Sequence, residues 1–160
     1  MRLAAVPVAC SKLEAEMTLS ILLWLTTLMP QPVAEHACLA TTVYLEARGE
    51  STNGQSAVAE VALRRRDRGN WGNTLCQVVT APHQFATTTT PGSFQIANLD
   101  AFQEAWTVAG QSIRNWNLPV GQRHILVPHA DHFATLAVVP EWSLKRPSVT
   151  IGDHAFYAVN

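Results

Sequence analysis

The apolar positions of this chain change their spacing along its length, and each change marks a different kind of element. Residues 17–29 read Met-Thr-Leu-Ser-Ile-Leu-Leu-Trp-Leu-Thr-Thr-Leu-Met, an uncharged apolar run closed by Pro30 and Pro32. It is shorter than the roughly 20 residues needed to cross a bilayer. Its length is that of a signal-peptide core, with Ala34 or Ala37 ending a small-residue cleavage region. Upstream, Arg2 and Lys12 are offset by Glu14 and Glu16, and Met17 is an alternative start. Val8-Ala9-Cys10 is a weak lipoprotein-like site, since only a short apolar stretch precedes it. A transient membrane anchor and a buried first helix of the domain remain the alternatives for residues 17–29. The expected division is a signal- or anchor-like segment over residues 1–34 and one folded domain over residues 35–160.

From Glu35 the period becomes helical. Cys38, Leu39, Thr42, Val43 and Glu46 recur at helix spacing, and Gly49 to Gly54 breaks the pattern. Ser51 or Asn53 can cap a second helix with apolar positions Ala57, Val58, Val61, Ala62 and Leu63, ending at Arg68-Gly69. Residues 74–79 form a short apolar segment of either type. Residues 81–95, with four consecutive threonines at 87–90, read as a loop or short hairpin. Asp100 caps a third helix with a stripe of Phe102, Ala105, Trp106, Ala109 and Ile113, which places Trp106 in the core. The C-terminal part turns strand-like at Ile125–Val127, Leu136–Val139, Val149–Ile151 and Ala155–Val159, with a turn at Gly152-Asp153. Helices followed by short antiparallel strands give an α+β fold, mainly helical with a small C-terminal β-hairpin region. No internal repeat is present.

Composition adds limits rather than detail. At 160 residues the chain suits one domain with a real core. Its net charge of −1 gives no basic field to draw it to nucleic acid. The cluster Arg64-Arg65-Arg66 with Arg68 reads first as the polar end of a helix. Three cysteines leave one unpaired in an oxidising compartment. Cys38 and Cys76 are the natural pair there, and two buried free thiols are the alternative.

The residue that carries most chemistry is Glu46, set among apolar and aromatic neighbours near a helix end. Burial of such a carboxylate is costly and raises its pKa, which suits a proton donor to a leaving oxygen. The competing reading is a structural Glu paired with Arg48 or Arg64. Trp71, Trp106, Trp116 and Trp142 could offer flat faces to sugar rings. His124, His129, Asp131 and His132 could assemble a zinc site, though without a helical His-Glu-x-x-His pair. Neither Gly-x-Ser-x-Gly nor a Gly-rich phosphate loop occurs.

The stretch Cys38-Leu-Ala-Thr-Thr-Val-Tyr-Leu-Glu-Ala-Arg-Gly-Glu50 resembles the signature of the SleB-type cell-wall hydrolases, the spore-cortex-lytic enzyme family. Gly54-Gln-Ser-Ala-Val-Ala-Glu-Val-Ala-Leu-Arg-Arg65, Asn73-Thr-Leu-Cys76, Gln84-Phe85, Ala130-Asp-His132-Phe133, Val139-Pro-Glu-Trp142 and Ile151-Gly-Asp-His-Ala-Phe-Tyr157 continue it in order. The resemblance spans roughly Glu35 to Tyr157. It implies a lysozyme-like domain that cleaves the N-acetylmuramic acid–N-acetylglucosamine bond of peptidoglycan, often as a lytic transglycosylase. It implies one catalytic acid, at Glu46, which protonates the leaving oxygen and then takes the proton of the attacking muramic C6 hydroxyl. It needs no metal and no cofactor, and it places Gln84, Phe85, Tyr44 and His132 around the sugar. Arg64 stands where the family usually has Asn, which implies a looser helix-to-loop bond. The family's cysteine pair beside Gln-Phe is missing, so the resemblance leaves Cys38–Cys76 as the implied disulfide. The partners implied are glycan strands, and the protein is expected to be exported, as a phage endolysin or a small bacterial wall enzyme. A non-catalytic wall-binding or virion protein with the same fold is the rival.

Overall fold

The structure, a computed structural model, describes residues 17–143 and 146–159. The charged residues Arg2, Lys12, Glu14 and Glu16 and the Cys10 motif lie outside the described residues. The elements are α1 (Leu19–Thr26), α2 (Gln31–Ala47), α3 (Thr52–Arg68), α4 (Leu75–Val79), α5 (Ala86–Thr89) and α6 (Leu99–Trp116), then a 3-10 turn at Val120–Gln122. Three strands follow, β1 (His132–Thr135), β2 (Val149–Ile151) and β3 (His154–Tyr157), in an antiparallel sheet of order β1-β3-β2.

α2 is the axis of the fold. Every residue from Ala37 to Tyr44 is buried, not only the expected stripe. A helix that is apolar all round must be surrounded, and α2 packs against α3 and α6 along its length and against α1, α4 and α5 at its flanks. Its two buried hydroxyls are satisfied internally, Thr41 donating to the Ala37 carbonyl at 2.7 Å and Thr42 to the Cys38 carbonyl at 2.9 Å. α3 starts where expected, with Ser51 accepting the Gly54 N–H at 3.3 Å. It stops at Gly69, whose left-handed φ of 71° lets its N–H reach the Arg65 and Arg66 carbonyls. α6 is capped by Asn98 rather than Asp100, which sits instead in the first turn.

Several expectations yield to long-range pairing. Residue 34 falls inside α2. α1 is docked on the domain: Leu19 and Leu22 are buried, the Leu19 N–H bonds to Phe94 and the Ile96 N–H bonds to Met17. The threonine run is not a loop but the single turn α5, held by the Thr87 hydroxyl on the Val79 carbonyl. Ile125–Val127 is no strand, because its amides are taken by a side chain: Glu60 of α3 accepts the Leu126 N–H at 2.7 Å and the Val127 N–H at 3.1 Å. The strand expected at Leu136–Val139 lies earlier, at His132–Thr135, where β3 pairs with it. Leu136, Val138 and Val139 turn out into solvent. Trp106 is 36% exposed, stacked on His36 at 4.0 Å, while Val108 and Trp116 take the core positions on α6.

Glu60 is one of several such tethers. Glu35 of α2 accepts the Leu75 N–H at 3.1 Å, and Glu50 accepts the Asp153 N–H at 3.2 Å. Cys38 and Cys76 are joined in a disulfide that ties α2 to α4. Arg64 loosens nothing: its guanidinium donates to the Ala130 carbonyl and lies over the Trp116 ring at 5.2 Å.

Candidate active site

Glu46 lies one residue before the end of α2, where the helix surface leaves the core. Its side chain enters a cleft of 280 Å³ whose walls come from α3 (Arg65), the α4–α5 segment (His83, Gln84, Phe85, Ala86, Thr89) and the sheet (Phe133, Ala134, Thr135, His154). The carboxylate is half-buried and accepts the Ala86 N–H at 2.6 Å through Oε1. Burial pushes its pKa above the ordinary carboxylate value. The Ala86 hydrogen bond and the nearby His154 and Arg65 pull the other way, and burial prevails. The group therefore combines a held carboxyl with a strengthened grip on its proton, which suits donation to a leaving oxygen. The structural alternative of pairing with Arg48 or Arg64 is not what is found: Arg48 lies over the Tyr44 and Phe94 rings, and Arg64 serves Ala130 and Trp116.

Arg65 is the cleft residue that the charge pattern concealed. It is 3% exposed, its Nε donates to the Asp131 carbonyl at 2.7 Å, and its guanidinium sits between the Trp71 and Phe85 rings at 4.7 and 4.8 Å. Its Nη1 lies 3.4 Å from both oxygens of Gln84. Desolvation lowers its pKa to about 10, partly offset by Asp131 and Glu46, so it stays cationic at neutral pH. A signal for it existed: Val58, Val61, Ala62 and Arg65 continue one buried helix stripe, so Arg65 had to point inward.

Of the residues placed around the sugar by resemblance, the cleft brings Gln84 and Phe85 to Glu46. Tyr44 does not join them. It is 2% exposed and packs edge-on against Phe102 at 5.6 Å, since two residues of helix turn it to the far side from Glu46. His132 stands outside the cleft lining, in an aromatic group with Trp142 at 4.9 Å and Trp71 at 6.0 Å. His154 lines the cleft, though the sequence offered it only as one letter of a closing motif. His83 sits at the mouth with a left-handed φ of 59°, a conformation rare outside glycine and concentrated at functional sites.

The histidine-rich segment is committed elsewhere. Asp131 is fully buried and its carboxylate accepts from Arg68, from His132 Nδ1 at 2.9 Å and from the Val159 N–H at 2.8 Å. Among the described residues no group of three His, Cys, Asp or Glu side chains could hold a metal ion. A second cavity of 300 Å³ lies between α3 and α6, near Ser56, Asn115 and His124. Its one carboxylate, Glu60, is already spent on the Leu126 and Val127 amides.

Comparison with known proteins identifies the fold and the family. The catalytic domain of the germination-specific lytic transglycosylase SleB from Bacillus anthracis has a TM-score of 0.61 and 26% identity, over 76% of this chain and 92% of that one. The catalytic domain of the Bacillus cereus SleB protein has a TM-score of 0.58 and 27% identity, over 76% of this chain and 88% of that one. No curated protein matches the chain. The cell wall hydrolase family model matches residues 49–157, a stretch that begins just past Glu46 and takes in Arg65, Gln84 and His154. The chain thus belongs to the cell wall hydrolase family and shares the fold of the SleB catalytic domains.

Proposed function

We propose that this protein cleaves the N-acetylmuramic acid–N-acetylglucosamine bond of peptidoglycan as a lytic transglycosylase, with Glu46 as the proton donor. The observation that carries the reading is the Glu46 carboxyl itself: its pKa raised by burial, held by the Ala86 N–H and opening into a cleft. Among the described residues it is the one carboxylate that lines this cleft. Most glycosidases pair two carboxylates. A single acid suits a reaction whose nucleophile belongs to the substrate. Glu46 protonates the glycosidic oxygen as its bond to C1 breaks, the muramic C6 hydroxyl closes on C1, and the product carries a 1,6-anhydro ring.

Gln84, fixed by Arg65, and Phe85 contact the sugar beside the scissile bond. The half-exposed Trp142, with His132 and Trp71 behind it, offers a stacking face farther along the strand. Action on peptidoglycan places the working enzyme outside the cytoplasmic membrane. Residues 17–29 support its passage or brief attachment there, because α1 and the turn after it present Ile21, Trp24 (60% exposed) and Leu28 to solvent and carry no charge. Such a face suits the interfacial plane of a bilayer, and among the described residues no helix is long and apolar enough to cross one.

Digestion of purified peptidoglycan, read by mass spectrometry, tests the reaction. Anhydro-muropeptides from the wild type and none from Glu46→Gln support it. Hydrated reducing ends would replace it with a muramidase or glucosaminidase, according to the sugar that carries the new end. Equal cleavage by the mutant would remove Glu46 from the mechanism.

A further inference from the structure

His154 is a cleft residue to which this reading gives no task. It opens β3, is 4% exposed, and its ring lines the cleft with Glu46. Phe133 meets that ring edge-on at 5.5 Å and Phe156 lies at 6.3 Å, so the imidazole is confined between aromatic neighbours. Its Nδ1 lies 3.3 Å from Glu50 Oε1, at ion-pair distance but without the geometry of a hydrogen bond, and makes no hydrogen bond among the described residues.

Glu50 is itself fixed. Both its oxygens accept the Asp153 N–H, at 3.2 and 3.3 Å. Gly152 makes room for it: the backbone there has φ 56°, and a Cβ would collide with Glu50 Oε2. A carboxylate behind Nδ1 selects the tautomer with its proton on Nδ1 and leaves the Nε2 lone pair free. Nε2 is the ring's remaining polar atom, and the cleft is where it is left to act. The same logic of carboxylate, imidazole and reacting hydroxyl recurs in hydrolytic enzymes of unrelated fold. The charged or titratable groups around the ring are Glu50 from the α2–α3 turn, Glu46 from α2, Arg65 from α3 and His83 across the cleft.

Building on the lytic-transglycosylase reading, we propose that His154, oriented by Glu50, is a second catalytic residue that accepts the proton of the attacking hydroxyl. In the step, the O6–H bond of the muramic residue breaks toward Nε2 and O6 forms its bond to C1. The C1–O bond to the leaving sugar breaks with its electron pair, and that oxygen takes the proton of Glu46. The step ends with His154 protonated and Glu46 ionised, and transfer of one proton from the first to the second resets both. Two groups divide the work that one carboxylate would otherwise perform in sequence, so acid and base act in the same transition state.

The test compares turnover of peptidoglycan against pH for the wild type, His154→Gln, Glu50→Gln and Glu46→Gln, with a melting curve for each. His154→Gln is expected to fold, to lose about 10²-fold in kcat with KM little changed, and to lose one limb of the pH profile. A merely structural histidine would not remove that limb. Glu50→Gln, which can still accept the Asp153 N–H, is expected to lose about tenfold in kcat, the scale of an orienting partner. A folded His154→Gln with wild-type kcat and both limbs overturns the proposal. Should that variant fail to fold, a folded Glu50→Gln with wild-type kcat overturns it instead. Cleavage that disappears in Glu46→Gln but is untouched in His154→Gln removes this inference alone. A wild type that cleaves no wall removes the lytic reading and this inference together.

Discussion

The Ala86 N–H reaches Glu46 Oε1 at 2.6 Å across 40 residues of sequence, so the acid of the cleft is positioned by a backbone group rather than by another charge. A single amide holds the carboxyl in place without neutralising the effect of burial, which still keeps its pKa above the ordinary 4.5. That balance has a thermodynamic sign. A carboxyl whose folded pKa is raised binds its proton more tightly in the native state than in the unfolded chain. Its contribution to stability is therefore complete below the ordinary value and is lost as pH rises through the raised one.

Glu46→Gln should accordingly be more stable than the wild type at pH 7, since the amide keeps the Ala86 contact and carries no charge to bury. The gain should shrink toward zero as pH falls below 4.5. Urea unfolding at the two pH values measures it. A variant less stable than the wild type at both would show that the carboxylate is not desolvated.

Arg65→Met should lose stability on the order of 1.5–3 kcal/mol, because the buried Asp131 carbonyl and Gln84 lose a charged donor. In the folded fraction the carboxyl of Glu46 would rise further, as Arg65 is one of the groups that lower it. The limb of the activity profile set by Glu46 should then move to higher pH. Arg65→Lys should restore the position of that limb but not the full stability, since an ammonium lacks the planar fork that serves both partners.

Reduction of Cys38–Cys76 should cost about 2–4 kcal/mol, in the chain-entropy view of a closed loop. It should also slow turnover. The segment from Cys76 to Ala86 is attached to α2 at both ends, by the disulfide and by the Glu46 hydrogen bond, so releasing one end frees the other to drift. Melting curves and wall-clearing rates with and without reductant test both effects. An unchanged rate in the reduced, folded protein would uncouple the bridge from the cleft.

What the sequence made legible was local. Ser51, Gly69 and the Gly152 turn each announce themselves through one residue's chemistry, and Glu46 stands out because its neighbours are apolar. What it hid was long-range. Ile125–Val127 has the composition of a strand, and nothing nearby says that Glu60 takes its amides. Arg65 looked like one of a run of surface charges, although its register on the α3 stripe points inward. Tyr44 shares a motif with Glu46, and helix geometry turns it to the far side of α2. His154 gains meaning only once β3 brings it to Glu50, 104 positions earlier in the chain by number. The family resemblance supplied the fold, the reaction class and two cleft residues, Gln84 and Phe85, while Arg65 and His154 had to come from the structure.

The tethers of the fold share one property. Glu35, Glu46, Glu50 and Glu60 accept main-chain amides of Leu75, Ala86, Asp153 and the Leu126–Val127 pair. An amide proton is present whatever side chain its residue carries, proline excepted. The α2–α3 unit is thus a chassis that recognises the path of its attached segments and not their spelling. Segments of equal length and different composition could be grafted onto it with the acid still in place, and the specificity of the cleft could be rewritten without redesigning the frame.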